Sequence, residues 1–131
     1  MELADPDLPA GIAVPELRPT PPAGLDADRY RWLREAFYEL PRRSRVVIVL
    51  RLPLLGRQSL PLRAIAELFG VTLERIRQLE HHAIWTLAGA WRQQGTKGLT
   101  RDERVAQIAP VIAAAIHRYP IGDRDPVDGQ P

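Results

Sequence analysis

The sequence predicts an all-α fold, namely a small helical domain that contains a helix-turn-helix, with flexible tails and an extra C-terminal helix. Three observations predict it. Apolar residues recur at helical spacing through the middle of the chain, two short helical segments meet at Gly70, and prolines gather near both ends. A length of 131 residues suits one domain, because single cores occupy about 100–150 residues.

The two ends of the chain are predicted to be tails. Residues 1–24 read as a disordered, acidic, proline-rich tail, since proline favours an extended, solvated backbone and no regular apolar pattern is present. Residues 119–131 also contain prolines and are predicted to form a flexible tail. Between them we expect a helical domain at 25–92, a linker at 93–99 and a C-terminal helix at 100–118.

The first helix of the domain is predicted to begin at Asp26 or Asp28, either of which can cap it, and to end at Leu40. Pro41 then begins a new element, because proline is tolerated in the first turn of a helix. Residues 42–52 are ambiguous, since their β-branched run favours a strand. No second strand of comparable strength is present to pair with it, so we predict a buried helix.

Two helices, at about 62–69 and 73–90, have the pattern of a helix-turn-helix. Gly70 tolerates the positive φ that a tight turn requires, and Thr72 is placed to cap the second helix. Ala66 is small enough to let the two helices cross closely. The apolar contacts between them are expected from Ile65, Phe69, Val71, Ile76 and Leu79.

The last predicted helix begins at Thr100 and has an acidic first turn, which suits the helix dipole. Pro110 lies inside it and is expected to kink the helix or break it in two. Its apolar face is predicted to consist of Val105, Ile108, Ile112 and Ile116.

Charge is segregated along the chain. The formal charges sum to −5 over residues 1–28, to +8 over 29–104 and to −1 over 105–131. A basic domain with an acidic tail suits a polyanion-binding protein whose tail competes for the same surface, although a simple balance for solubility explains the charges equally well. Fourteen of the fifteen basic residues in the middle segment are arginines, which fork onto phosphates or guanine. A compositional bias of the source genome would produce the same excess.

Several classes of function are disfavoured. The chain has no cysteine, which excludes disulfides and thiolate chemistry. Its start does not resemble a secretory signal, and no apolar run reaches the roughly 18–20 residues of a membrane span. His81 and His82 diverge by about 100° on a helix and lack a further ligand at i+4. We therefore expect a cytoplasmic protein without cofactor, membrane partner or enzymatic activity.

The outward face of the second helix of the helix-turn-helix carries side chains that suit a DNA major groove. Arginine forks onto guanine, glutamine pairs with adenine and glutamate accepts from the cytosine amino group. The alternative is an ordinary solvated face with a pair between Glu74 and Gln78, but the preceding turn favours DNA binding. The face is expected to consist of Leu73, Glu74, Arg77, Gln78 and His81, with Arg75 at its flank.

The stretch from Leu40 to Leu87 resembles conserved region four of housekeeping-type bacterial sigma factors, the polymerase subunits that recognise promoters. Leu40 and Pro41 open the match, the run from Val46 to Leu52 continues it, and FGVTLERIRQLE is its most specific block. The resemblance implies a helix-turn-helix domain that binds double-stranded promoter DNA at the −35 element in contact with RNA polymerase.

By this resemblance Glu74 reads cytosine and Gln78 reads a base, while Arg75 and Arg77 contact the backbone and the groove. Leu73 departs from the family, because it stands where a guanine-reading arginine is usual. A bidentate contact between arginine and guanine is worth roughly 1–3 kcal/mol of discrimination. The departure therefore bears on which base is read at this position.

The resemblance also implies contacts outside the second helix. Arg57 and Leu62 fall where the family contacts phosphates, and Leu52 lies on the face expected toward the β-subunit flap of the polymerase. The predicted polymerase-binding residue is Leu52. The predicted DNA-binding residues are Arg57, Leu62, Arg63, Thr72, Leu73, Glu74, Arg75, Arg77, Gln78, His81 and His82.

No aromatic-rich domain of the kind that opens the −10 element in complete sigma factors is found in the sequence. We therefore expect half of a split sigma factor, a regulator or a fragment, with a second protein supplying the missing sigma regions. The alternative function is a protein-interaction module, a sigma mimic or anti-sigma-like regulator that binds the polymerase flap or a partner sigma factor. Trp85, Trp91 and the last helix motivate it, unless these side chains close the domain's own core.

Overall fold

The computed structural model describes residues 8–54, 56–93 and 96–121. Parts of the predicted tails and of the predicted linker therefore lie outside the described residues. Within them the chain forms helices α1 (Ala27–Glu39), α2 (Arg42–Arg51), α3 (Leu62–Phe69), α4 (Leu73–Arg92) and α5 (Arg101–Ala115), with strands β1 (Glu16–Leu17) and β2 (Ile116–Arg118). The mainly helical architecture confirms the predicted all-α fold class.

Helix α4 is the central element, because α1, α2, α3 and α5 all pack against it. The side chains between them form two hydrophobic clusters. The main cluster lies among α1, α2, α4 and α5 and includes Leu33, Phe37, Ile48, Ile84, Leu87 and Ile112. The helix-turn-helix cluster consists of Val46, Val47, Leu50, Ile65, Ala66, Ile76 and Leu79.

The ambiguous segment 42–52 is a helix, as predicted, and its position explains the ambiguity. Helix α2 lies between the two clusters, with Ile48 and Val49 in the main cluster and Val46 and Leu50 in the helix-turn-helix cluster. Each of these side chains is fully buried. A helix that is covered on all sides shows no amphipathic period, and here its burial outweighs the β propensity of its residues.

The turn between α3 and α4 has the predicted geometry. Gly70 adopts a left-handed conformation with φ 68° and ψ 32°, and its N–H donates to carbonyls of the last turn of α3. The Thr72 hydroxyl accepts a hydrogen bond of 3.0 Å from the backbone N–H of Arg75 and so caps α4. Ile65 and Ile76 are fully buried beneath the turn. These contacts fix the angle at which α4 leaves α3.

Gly70→Ala is expected to lower the free energy of unfolding by about 1 kcal/mol, measured by urea denaturation. An added Cβ would meet open space, so the cost comes from the left-handed backbone alone. Gly89 provides the matched control, since it also faces open space but lies inside α4 with ordinary helical backbone. Gly89→Ala is expected to stabilise the protein by up to about 1 kcal/mol. Equal shifts for both variants would contradict this account of the turn.

Residues 8–24 do not form the flexible tail that was predicted. Leu17 of β1 is almost fully buried in the main cluster, and its backbone N–H donates to the Tyr38 hydroxyl at 2.9 Å. Strand β1 pairs antiparallel with β2, and Ile12 forms a bridge with Ile121. The prolines supply an extended backbone, but the apolar residues among them are too irregularly spaced to show a period. Long-range packing therefore orders a segment whose local sequence gives no sign of it.

The C-terminal part also differs from the prediction. Helix α5 ends at Ala115, and residues 116–118 form β2 because β1 offers an edge for an extended chain to pair with. Pro110 does not break the helix, which is continuous through it. The predicted tail at 119–131 is described as far as Ile121, and residues 119 and 121 pack against the helix-turn-helix cluster instead of extending into solvent. The two ends of the described chain are thus joined.

A buried ion pair that the sequence analysis missed joins three helices. Glu80 of α4 is only 5% exposed and accepts hydrogen bonds from Arg51 of α2 and, at 2.8 Å, from Arg101 of α5. Burial alone would raise the pKa of this carboxyl, but the hydrogen bonds and charges of Arg101 and Arg51 outweigh it and hold the pKa below its ordinary value of 4.5. The sequence did contain a signal for this ion pair, because an acidic residue on the inward face of an amphipathic helix is rarely buried without a partner.

Candidate nucleic-acid interface

The candidate interface is the solvent-facing surface of α3 and of the first half of α4. The predicted side chains on α4 point away from the helix-turn-helix cluster, because Ile76 and Leu79 turn the opposite face inward. The exposed predicted residues are Arg63, Thr72, Leu73, Glu74, Arg75, Arg77, Gln78, His81 and His82.

The structure brings predicted residues of both helices together at one groove. Leu62 and Arg63 of α3 and Leu73 and Arg77 of α4 line an opening of about 570 Å³, with Glu67 beside them. The groove lies at the N-terminal ends of α3 and α4, so backbone N–H groups and the positive ends of both helix dipoles lie near it. This combination suits the negatively charged phosphate backbone of a nucleic acid.

The polar side chains on this face pair with one another along the helix. Arg77 contacts Glu74 at 2.6 Å, and both side chains are more than half exposed. A guanidinium nitrogen of Arg75 donates to the Gln78 side-chain oxygen at 3.4 Å. Exposed pairs of this kind contribute at most about 1 kcal/mol, so a ligand can exchange them at little cost. The predicted alternative pair between Glu74 and Gln78 is replaced by these i,i+3 pairs.

His81 marks the edge of the face. Its ring stacks on Trp85 with centroids 4.0 Å apart, and the guanidinium of Arg104 lies 4.2 Å from the centre of the same indole. Trp91 is buried in the main cluster beneath Arg29. Both tryptophans are therefore in contact with the chain's own side chains, which favours the explanation that they close the domain's own core.

Arg57, which was predicted to contact phosphate, is not among the residues that line this groove. Its guanidinium lies 4.1 Å from the ring centre of Tyr119, in the segment that follows β2. Burial raises the pKa of the Tyr119 hydroxyl, while the Arg57 charge acts in the opposite direction. Arg57 therefore packs against the segment that follows β2 and does not lie with the residues that line the groove.

The prediction that Leu52 faces the polymerase is wrong in this structure. Leu52 is fully buried in the main cluster, whose members come from α1, α4 and α5 as well as from α2. The error has a physical cause, because the other members of this cluster come mainly from helices that lie elsewhere in the chain. Local sequence around Leu52 gives no sign of this cover.

The described residues contain neither a candidate membrane span nor a candidate metal cluster. None of their helices combines the length and the apolar character that crossing a bilayer requires. Their histidine and acidic side chains form no group of three or more arranged to hold a metal ion.

A comparison with family models matches residues 36–87, two fifths of the chain, to the model described as Sigma-70, region 4. The match spans α2, α3, the turn at Gly70 and α4 as far as Leu87. Comparisons with curated proteins and with solved structures found no match. Region 4 is a DNA-binding, non-catalytic domain that works with RNA polymerase, and the helix-turn-helix geometry here agrees with it. Residues 36–87 therefore form a helix-turn-helix domain of the sigma-70 region 4 family.

Proposed function

We propose that this protein binds double-stranded DNA sequence-specifically in transcription initiation, reading a −35-type promoter element in contact with RNA polymerase. The observation that carries the proposal is the exposed N-terminal half of α4, which follows the turn of a region 4 helix-turn-helix and carries side chains whose chemistry suits base edges. Recognition helices of this class contact base edges with their N-terminal residues.

The roles of single residues follow from their chemistry. Glu74 accepts from a cytosine amino group, and Gln78 forms a bidentate pair with adenine. Arg77 leaves its ion pair with Glu74 and contacts the DNA instead. This change costs little, because both side chains are exposed. Arg63 and Arg75 hold phosphates on the two sides of the groove. A contact of Leu73 with a thymine methyl group replaces the arginine contact to guanine that is usual in the family.

The candidate DNA-binding face of α3 and α4 carries only a small net positive charge. Arg63, Arg75 and Arg77 are offset by Glu67 and Glu74 on the same two helices. Each phosphate that a cation neutralises adds about 0.9 to the slope of log K against log salt, so three arginines give a slope of about 2.7. Such a slope implies weak binding by the chain alone, with polymerase supplying the remaining affinity.

The test is the fluorescence anisotropy of a labelled duplex that contains a −35-type element, with a scrambled duplex beside it, between about 50 and 200 mM salt. We expect tighter binding to the promoter duplex and a slope near 2.7. Arg75→Ala is expected to reduce the slope by about 0.9. Arg31→Ala, which removes an exposed arginine from α1, is the matched control and should leave the slope unchanged. Binding without salt dependence would contradict the proposal.

One observation favours a second candidate function. Leu68 and Leu73, on adjacent helices of the helix-turn-helix, are the large apolar side chains that the described residues leave exposed. Exposed leucines suit contact with the surface of a partner protein. The second candidate is therefore a sigma mimic or anti-sigma-like regulator that binds the polymerase flap or a partner sigma factor. A pull-down of core polymerase and of a sigma factor without DNA separates the two. Retention that Leu68→Ser abolishes, together with absent duplex binding, would favour this second candidate.

Either function is compatible with a further protein partner. The matched family segment covers region 4 alone, and a second protein that supplies the other sigma regions is part of our proposal. A promoter-melting assay with core polymerase tests it. We expect open-complex formation only when such a protein is added.

A further inference from the structure

A cavity of about 540 Å³ opens at the C-terminal end of α4, where α1 and α5 approach it. Its volume falls within the range of about 300–1,000 Å³ that is typical of small-molecule sites. Arg92 at this end lies about 21 Å along the helix from Gln78, given a rise of 1.5 Å per residue. The cavity is therefore separate from the candidate DNA-binding face. It is lined by Arg29, Trp32, Trp91, Arg92, Gln93 and Gln107.

Among the described residues, the lining carries two positive charges and no acidic side chain. The Nε of Arg29 donates to the Trp91 carbonyl at 3.0 Å, and its guanidinium lies 4.2 Å from the centre of that indole. Within the described part of the chain, neither Arg29 nor Arg92 has a carboxylate partner, whereas Arg31 on the same helix as Arg29 pairs with Asp28. Two like charges that share a cavity repel each other, and a bound anion would relieve that repulsion.

The cavity also offers a flat apolar wall. Trp32 is half-buried, yet it belongs to neither the main cluster nor the helix-turn-helix cluster. An indole in such a position presents surface that the protein's own interior does not use. The side chains of Gln93 and Gln107 add carboxamide groups, which both donate and accept hydrogen bonds.

We propose that this cavity binds an unpaired nucleobase together with its phosphate, as found in a free nucleotide or in single-stranded nucleic acid. Trp32 stacks on the base, Arg92 and the outer nitrogens of Arg29 hold the phosphate, and a glutamine carboxamide pairs with the edge of the base. An acidic peptide would use the arginines but would leave the indole and the carboxamides without a matching group. The proposal is independent of duplex binding by α4.

The test is isothermal titration calorimetry of the full chain with ATP and with a short single-stranded oligonucleotide. Tripolyphosphate and a glutamate-rich peptide serve as comparison ligands. We expect saturable binding of ATP or of the oligonucleotide with Kd below about 1 mM. Tighter binding of the oligonucleotide would identify single-stranded nucleic acid as the source, and tighter binding of ATP would identify a free nucleotide.

Variants assign the binding to the cavity. Trp32→Ala removes the surface on which the base stacks and Arg92→Ala removes a charge that holds the phosphate, so each is expected to weaken binding about tenfold. Arg31→Ala is the matched control and should bind as the parent does, and circular dichroism checks that every variant remains helical. Three results would overturn the proposal: no saturable binding, equal binding of tripolyphosphate or of the acidic peptide, or equal weakening by Arg31→Ala.

Discussion

Glu80→Gln is expected to lower the free energy of unfolding by about 3 kcal/mol at neutral pH, because removing one partner from a buried ion pair leaves its counter-charges uncompensated. Glu80 is 6% exposed in its side chain, while Arg51 and Arg101 are 17% and 36% exposed. Water reaches the arginines in part, so the expected cost lies at the lower end of the range for such pairs. The three helices that Glu80 joins would loosen together.

Urea denaturation of the parent and the variant measures this loss. Glu35→Gln, at an exposed position of α1, is the matched control and should change the free energy of unfolding by less than about 0.5 kcal/mol. If Glu80→Gln and Glu35→Gln were equally stable, the proposed role of the buried carboxylate would be wrong.

The effect of Glu80 should depend on pH in a defined direction. Its pKa is lowered in the folded protein, so the carboxylate contributes stability above its ordinary value of 4.5. That contribution is lost as the pH falls through the folded pKa, where the unfolded chain binds a proton more readily. The difference in stability between the parent and Glu80→Gln should therefore be full at pH 7 and shrink below pH 4.5. A difference that grows on acidification would contradict this assignment.

Leu73→Arg is expected to raise the affinity for a duplex with guanine at the contacted position by roughly 5- to 150-fold, the equivalent of 1–3 kcal/mol. Leu73 lies at the start of α4 and is 36% exposed, so an arginine at this position has room to reach the major groove of the DNA. The substitution restores the residue that the family usually has at this position. It should redirect specificity toward guanine and leave the fold unchanged.

Anisotropy titrations on duplexes that differ only at that base pair measure the change. Leu73→Lys is the matched control, because lysine adds the same charge without the planar fork that recognises guanine. We expect the lysine variant to bind all the duplexes somewhat more tightly and the arginine variant to favour guanine. Equal gains for the two variants on every duplex would show that Leu73 does not lie against a base.

The helix-turn-helix could be predicted from sequence because its signals are local. Gly70 supplies the left-handed turn, Thr72 caps α4 within three residues, and the apolar positions of α3 and α4 follow one period. Each of these features depends on neighbours a few residues away. For this reason the bounds of α3 agree with the prediction to the residue.

The terminal segments could not be predicted in this way, because their partners are distant in the chain. Leu17 is buried by packing against helices that begin at least ten residues later, and β1 pairs with β2 across about one hundred residues. The burial of Leu52 depends on the same long-range packing, since α5 contributes to the cluster around it. A family resemblance that ends at Leu87 carries no information about α5.

The candidate site could be predicted from the sequence only in part. The exposure of Glu74, Arg77 and Gln78 follows from the period of α4 and could be predicted. The contact of Arg57 with Tyr119 could not, because Tyr119 was assigned to a flexible tail. The same holds for the cavity at the far end of α4, whose walls come from α1, α4 and α5.

We propose above all that the exposed face of α4 reads a DNA sequence. Selection of bound sequences from random duplex DNA, with and without core polymerase, tests it most directly. We expect enrichment of a short motif that contains a cytosine contacted by Glu74 and an adenine contacted by Gln78, with stronger enrichment when polymerase is present. A selected pool without any shared motif under both conditions would contradict the claim.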